Sequence, residues 1–433
     1  MTIQQPGRRL IGIRLTTWPV VAGIIAISLV TTAFAVPAAS WLSTAAISLA
    51  CGVAALSLMA GSAILGGRWG WIEGAFGGLD RVYTVHKWLG IYALALASIH
   101  LMFKADLRGW ETAAILVLPS DWARLARQAS FVGLMLIAIL ALNRNISYGV
   151  WRWWHRLSGP IFVVVVLHWL SIKSPIVLAS PAGLWLAALA SLAVLAALWK
   201  LTLYPFLARH AEYRVVEVVE GGSAVQIDLL PTGRRIDFTP GQFGFLRMKA
   251  QGLREPHPFT IAAAGSEDGR LNFVIRSLGD FTARLVADVR VGMRAEVHAP
   301  FGRFTRAVGA DREIWVAGGV GISPFIAWMN DAGAGGFDRV TLFYFYSPGR
   351  GFPSVKSLQV MADGCGVEFV PVPSGPTTDS FKQRFSEIAL QGDPSTLDIA
   401  VCGPAGLADA VAALAVKNGL SPRSIRSEQF AFR

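Results

Sequence analysis

Acidic side chains are scarce in the first half of this chain: residues 1–209 hold five Asp and Glu against sixteen Lys and Arg, whereas residues 210–433 hold 23 of each kind. The whole formal charge of +11 therefore belongs to the first half. Charged residues make up only 15% of the chain and hydrophobic ones 53%. That excludes disorder, and it argues against nucleic-acid binding, because too little polar surface is available to solvate the length of the chain. Cysteine is equally sparse. Cys51, Cys365 and Cys402 are far apart and form no CxxC or Cys/His spacing, which excludes a disulfide scaffold and a zinc or iron–sulfur module built from this chain. Any redox chemistry must use borrowed cofactors. There is also no internal repeat and no low-complexity stretch, and the glycine-rich run at 318–324 is not a GxGxxG fingerprint.

What is abundant is tryptophan at the ends of apolar runs. Of 15 tryptophans, 13 lie in residues 1–209, where an amphipathic indole suits headgroup depth. Six apolar segments, residues 15–36, 41–66, 82–103, 127–143, 150–172 and 180–206, each approach the ~20 residues that cross a hydrocarbon core. With the N-terminus in the cytoplasm, Arg8, Arg9, Arg14, Arg68, Arg81, Lys87, Arg144, Arg152, Arg156, Lys200 and Arg209 lie inside. Lys104, Arg108, Arg124, Arg127 and Lys173 lie outside, so the bias follows the positive-inside rule. The first half is thus read as a six-helix transmembrane bundle embedded in the lipid bilayer, residues 1–209. Ala33-Phe34-Ala35 has the look of a signal cleavage site, but the apolar run before it is longer than a signal h-region.

After Arg209 the texture becomes short β-rich runs, such as residues 213–219, 224–230 and 271–275, broken by Gly, Pro and Asp. This predicts a small antiparallel β-barrel over residues 210–308. From about 311 the order strand, glycine turn, helix, strand predicts an α/β nucleotide-binding domain with a parallel sheet over 309–433.

Four of the seven histidines fall inside predicted membrane segments: His86 and His100 in the third, His155 and His168 in the fifth. Ionisable groups at that depth are rare and usually functional. Fourteen residues of helix turn through about 1400°, within ~40° of four turns, so His86 and His100 leave one face about 21 Å apart. The fifth segment sets its pair thirteen apart at nearly the same depths. His86 then faces His155 on the inner side and His100 faces His168 on the outer side, and each pair could clamp one haem iron axially. Thirteen residues of ideal helix miss the starting face by about 140°. Gly159-Pro160 lies between the two histidines and permits a kink. Histidines that hydrogen-bond between helices or relay protons are the alternative.

In the barrel region Pro240-Gly241-Gln242-Phe243, His257-Pro258-Phe259-Thr260-Ile261 and Ile275-Arg276-Ser277-Leu278-Gly279-Asp280-Phe281-Thr282 follow one another. These motifs resemble the ferredoxin-reductase-type flavin domain. The resemblance implies that His257, Pro258, Phe259 and Thr260 run along the flavin and its ribityl chain, and that Arg276, Ser277, Gly279 and Thr282 cradle the FAD pyrophosphate. A cation, hydroxyls and N–H groups freed by a glycine turn suit a diphosphate. Gly318-Gly319-Val320-Gly321-Ile322-Ser323-Pro324 follows an apolar strand, and Gly318, Gly319, Gly321, Ser323 and Pro324 are candidates to hold a nucleotide pyrophosphate. Cys402-Gly403-Pro404 and Glu428-Gln429-Phe430 resemble the same family's nicotinamide-side motifs. There Cys402 and Glu428 would flank the hydride path and Phe430 would stack on the flavin until nicotinamide displaces it. Ser347 and Arg350, past the next strand, suit a 2′-phosphate and favour NADPH, with NADH as the alternative.

Taken together, the histidine spacing and the flavin and nicotinamide motifs resemble the NADPH oxidase / ferric reductase superfamily over essentially the full length, with the short prokaryotic NADPH oxidases nearest in organisation. The resemblance implies a multi-pass enzyme of the plasma (cytoplasmic) membrane with both termini in the cytoplasm. Its cofactors would be FAD, NADPH and two haem b, one held by His86/His155 and one by His100/His168. Electrons from NADPH would reach dioxygen on the far side and leave as superoxide. With no calcium-binding hand or other regulatory extension, no obligatory regulatory subunit is expected. Oxygen-reducing members tend to carry a histidine one turn beyond the outer ligand of helix three and an arginine on helix two near the outer face. Here Lys104 takes the first position, as the candidate acceptor site, and residues 41–51 hold no arginine. That departure keeps a ferric chelate or quinone open as acceptor. An electron-delivery subunit for a partner protein, or a histidine-containing transporter, is the reading from a different class.

Overall fold

The structure is a computed structural model and describes residues 15–103, 109–143, 145–307, 309–349, 351–373, 375–421 and 424–428. Two compact units divide the chain, Met1–Ala208 and Arg209–Arg433. Within the first, the described helices are α1 (Thr17–Ala33), α2 (Thr44–Leu65), α3 (Gly70–Phe76), α4 (Leu79–Met102), α5 (Ser120–Leu142), α6 (Tyr148–His155), α7 (Ser158–Ser171) and α8 (Pro181–Leu198), the last continuing through a π-helical turn (Trp199–Leu203) into α9 (Tyr204–Leu207). Ser43 and Ser180 start α2 and α8 by accepting the N–H of Ala46 and Gly183, the ordinary serine N-cap.

Among the described residues four stretches are long and apolar enough to cross a membrane: α2, α4, α5 and Pro181–Leu207. The other two segments drawn from the sequence differ. Helix α1 has only 17 residues, and the fifth segment is broken between α6 and α7. The break has a cause. Pro160 has no N–H to offer the Arg156 carbonyl and its ring crowds that position, so the helix ends at His155 and restarts at Ser158. The fourth segment, by contrast, is longer than its apolar stretch: α5 begins at Ser120, with Asp121, Arg124 and Arg127 on its first turns. Phe131, Val132 and Ile139 of α5 remain exposed, as side chains facing lipid would be. The packed centre of this unit is α2, whose Val53, Leu56 and Ala60 meet Phe162 of α7 and Leu186, Ala190 and Ala193 of α8.

The second unit carries two sheets. Strands β1 (His210–Gly221), β2 (Ala224–Pro231), β3 (Phe243–Met248), β4 (His257–Thr260), β5 (Leu271–Arg276) and β6 (Arg294–Phe301) form an antiparallel sheet in the order β4-β3-β6-β1-β2-β5. Just past β4, Ala262 N–H donates to Asn272 O of β5 at 2.8 Å and brings the two edges together, so the sheet is a nearly closed barrel. Alternating inward residues such as Tyr213, Val215, Ile227, Leu229, Phe273 and Ile275 fill it. Helix α10 (Asp280–Asp288) follows β5. Strands β7 (Arg312–Gly318), β8 (Val340–Phe345), β9 (Glu368–Val372), β10 (Leu397–Cys402) and β11 (Ile425–Glu428) pair in parallel in the order β11-β10-β7-β8-β9. Trp315 and Ala317 of β7 face α11 (Ser323–Met329) and α12 (Val355–Cys365). Ile314 and Val316 face α13 (Asp379–Ala389) and α14 (Ala405–Lys417), so both faces of the sheet are covered.

Candidate functional site

Two constellations stand out, one in each unit. In the membrane unit the His86 and His155 rings lie 6.0 Å apart, centre to centre, with their planes at 83°. A metal ion bonded at ~2 Å by a nitrogen of each ring would leave the ring centres roughly 6 Å apart. The helix break makes this meeting possible, since His155 ends α6 and no longer shares one straight helix with His168. Trp151, one turn earlier, stacks on His155 at 5.0 Å and 14°. His168 lies in the last turn of α7, within electrostatic reach of His100. The Nδ1 of His86 lies 2.8 Å from the Ser62 backbone oxygen, and that of His100 lies 2.8 Å from the Ser48 oxygen. A carbonyl only accepts, so each of these rings carries its proton on Nδ1 and presents the lone pair of Nε2.

Cationic groups gather near the first pair. Arg68 Nε donates to the Tyr83 hydroxyl at 2.6 Å, and the Tyr83 ring stands edge-on to His86 at 6.2 Å. Lys200 Nζ sits 3.5 Å over the Tyr204 ring, which Arg68 also approaches. Among the described residues no group of three His, Cys, Asp or Glu converges as a metal cage. A haem needs only the axial pair, because its porphyrin supplies the other four ligands, and buried cations suit its propionates. The residues present fit that group.

In the second unit the candidate residues surround the seam between barrel and parallel sheet. His257 stacks on Phe281 at 3.8 Å, and its Nε2 lies 3.3 Å from Glu255. Thr260 pairs with Phe243 and Phe259 with Gly244, placing 257–260 along the β3 edge. Pro258 lies opposite Phe245. Ser277 N–H donates to Ser223 O at 2.8 Å. The Thr282 hydroxyl accepts from the Leu278 and Gly279 N–H groups at 2.9 and 3.0 Å, closing the loop that opens α10. Gly319, in the left-handed region at φ +56°, brings its backbone beside Arg276, whose Nη1 would stand 3.2 Å from a Cβ at that position. Arg276 and the glycine turn thus share one cradle, a cation beside freed backbone N–H groups, which fits a pyrophosphate.

The other turn glycines serve packing. A Cβ on Gly321 would stand 2.3 Å from the Cys402 oxygen, and one on Gly318 would stand 2.9 Å from Pro404 Cδ. Gly403 lies against Gly318 in return. Ser323 is buried and donates to Val320 O at 2.8 Å, and Pro324 follows it at the start of α11. Cys402 and Glu428 are register partners at the ends of β10 and β11, both buried. Burial, and after it the charge of Glu428, pushes the Cys402 thiol well above its ordinary range. Ser347 is exposed just beyond β8. Lys104, Arg350 and Phe430 lie outside the described residues. Sequence reasoning missed Ser48 and Ser62; their spacing of fourteen, equal to that of His86 and His100, was the available signal.

An apolar helical unit that crosses the membrane, followed by a ferredoxin-reductase-like flavin barrel, defines a transmembrane oxidoreductase. The family described as ferric reductase like transmembrane component matches residues 51–166, and the FAD-binding domain family matches residues 212–304. In tandem they give the chain the architecture of the NADPH oxidase / ferric reductase superfamily. The ferric/cupric reductase transmembrane component 7 of Saccharomyces cerevisiae is 21% identical over 66% of this chain and 47% of its own length. The reductase component of propane 2-monooxygenase from Rhodococcus jostii is 27% identical over 45% of this chain and 56% of its own. The chain spans about half the length of these curated relatives. A ferredoxin NADP+ reductase from Neisseria gonorrhoeae, with bound FAD and NADP, aligns with 51% of this chain and 98% of its own at 17% identity and a TM-score of 0.42.

Proposed function

We propose that this protein is a transmembrane NADPH oxidase that moves electrons from cytosolic NADPH to extracytoplasmic dioxygen and releases superoxide. Residues 1–209 would form a six-crossing di-haem domain of the plasma membrane, 210–308 the FAD domain and 309–433 the NADPH domain, with both termini cytoplasmic. The single observation that carries the reading is the His86–His155 pair, 6.0 Å apart with a cationic cluster beside it. When bound, FAD supplies two-electron acceptance with one-electron release, and haem b supplies one-electron steps.

The chain's own residues do the rest. His86 and His155 would hold an inner haem, and His100 and His168 an outer one. With His100 and His168 both holding it, the outer haem would offer an acceptor no vacant place to bind. Arg276, Ser277, Gly279 and Thr282 hold the FAD pyrophosphate, while His257, Pro258, Phe259 and Thr260 line the flavin. Gly318, Gly319, Gly321, Ser323, Pro324, Gly403 and Pro404 form the nucleotide side. Ser347 and Arg350 read the 2′-phosphate and select NADPH over NADH. Cys402 stays a protonated, buried thiol that keeps water from the nicotinamide ring, Glu428 holds charge beside it, and Phe430 covers the flavin at rest.

Lys104 supplies positive potential that favours an anion leaving the outer face. The same departure, lysine in place of histidine and no arginine in 41–51, favours one second reading, reduction of a ferric chelate or quinone by the same residues. The resemblance to a yeast ferric/cupric reductase supports that reading too. The test of the haem assignment is a dithionite-reduced spectrum with haem counted per purified chain. Two haem b are expected, falling to one in His86→Ala or His100→Ala; a chain without Soret and α-bands defeats the reading.

A further inference from the structure

Helix α2 carries the same pair of small residues twice. Ser48 precedes Gly52 by four and Ser62 precedes Gly66 by four, fourteen residues on. Helix α4 repeats histidine with the same spacing, at 86 and 100. The two helices run antiparallel, so Ser48 meets His100 and Ser62 meets His86. At each meeting three contacts recur. The ring Nδ1 lies 2.8 Å from the serine backbone oxygen. The serine Oγ lies 3.0 Å from the His86 Nδ1 and 3.2 Å from the His100 Nδ1. The same hydroxyl donates to the histidine's own carbonyl, at 3.3 Å for His86 and 3.0 Å for His100.

A helix carbonyl already accepts from the residue four further on, as Ser62 O does from Gly66 N–H at 3.0 Å. Its second lone pair is free to accept a ring N–H, and at position 52 a side chain would crowd the ring that makes this bond. Glycine removes the obstruction. A Cβ at position 52 would come within 2.9 Å of the His100 Nδ1, whereas one at 66 would stay 3.8 Å from the nearest His86 ring atom. Small residues four apart also let helices pack closely, yet close packing alone asks for no bond to a ring nitrogen.

We propose that Ser48 with Gly52, and Ser62, are positioning residues: they hold the outer and inner axial histidines in the Nδ1–H tautomer and make Nε2 a stronger donor to iron. The outer device depends sterically on Gly52. The inner one has room to spare at Gly66. A stronger donor favours the ferric state, so loosening the Nδ1–H bond raises the potential of that haem alone.

This inference rests on the proposed haem ligation, and the experiment separates the two. Spectroelectrochemical titration of the purified full-length protein should resolve two one-electron transitions, one of which disappears in His100→Ala. In Gly52→Ala that same transition should move to higher potential by about tenfold in the ferric/ferrous ratio, roughly 59 mV for one electron, or be lost with its haem. Gly66→Ala should leave both in place. If Gly52→Ala does not accumulate, Ser48→Ala carries the test, since it keeps the carbonyl and loses only the hydroxyl; the outer transition alone should then move, by less. Two haems with unshifted transitions in Gly52→Ala and Ser48→Ala overturn the inference. A wild-type chain without haem removes the ligation, and the inference with it.

Discussion

Replacing Gly321 by alanine puts the proposed nucleotide side under direct test. Its Cβ would lie 2.3 Å from the Cys402 oxygen, 2.7 Å from the Cys402 carbonyl carbon and 3.0 Å from Gly403 Cα. All three are backbone atoms, so no rotamer relieves the overlap, which is about an ångström inside van der Waals contact. Overpacking of this kind costs ~1–3 kcal/mol. For a unit of this size that lowers the melting temperature by ~2–4 °C per kcal/mol. The strain falls on the Cys402 and Gly403 backbone at the end of β10, whereas the Arg276 guanidinium is met from Gly319. FAD content should therefore hold while the NADPH KM rises ~5–30-fold, the factor for one or two kcal/mol, in ferricyanide reduction by the detergent-solubilised chain. Gly319→Ala is the counterpart. At φ +56° alanine costs ~1–2 kcal/mol, and its Cβ meets only the Arg276 guanidinium at 3.2 Å, so FAD retention should suffer first. A Gly321→Ala protein with wild-type melting and an NADPH KM within twofold of wild type would refute the assignment of that turn.

Three further outcomes are expected. Arg306 donates to both oxygens of the buried Glu313, at 2.7–3.1 Å, and to the Gly335 and Gly336 carbonyls; Arg306→Ala strands that carboxylate and should cost ~3–5 kcal/mol, read by denaturant unfolding, with a loss under 1 kcal/mol counting against it. Glu296 is held below its ordinary pKa of 4.5, first by the hydrogen bond to His298 at 2.7 Å. A depressed carboxylate contributes stability above its unfolded pKa that is lost as the pH falls through the folded one, so melting should drop on acidification below about pH 4.5, and Glu296→Gln should flatten that drop. Cys402, buried and facing Glu428, should resist iodoacetamide at pH 8.5 while the half-buried Cys365 reacts; peptide mass spectrometry showing the reverse order would exclude the buried thiol.

Much of this was legible in the sequence, and the parts that were not share a physical reason. The membrane half announced itself through charge asymmetry and tryptophan, and the barrel and parallel sheet through strand texture and turn glycines. The His86–His155 meeting was legible only up to the 140° discrepancy, because Pro160 signals a break without saying how far upstream the helix stops. The extent of α5 was hidden by Asp121, Arg124 and Arg127, whose charges end an apolar run but not a helix. Gly318 and Gly321 carried the residue type expected for a phosphate turn, yet the space they save is taken by Cys402, Gly403 and Pro404. Ser48 and Ser62 gave one signal, a spacing of fourteen that matches His86 and His100, and it is readable only against the other helix. A serine in an apolar helix has ordinary composition, and its meaning appears only when the neighbouring helix is laid beside it.

The most direct test of the central claim is NADPH consumption by the purified protein with added FAD, followed in parallel by cytochrome c reduction with and without superoxide dismutase. The account predicts that dismutase abolishes most of the cytochrome c signal and that His100→Ala and His168→Ala lose it. NADPH consumption that proceeds only when a ferric chelate or quinone is added would contradict oxygen as the acceptor, and dismutase-sensitive reduction that persists in both histidine variants would contradict the outer site as the exit.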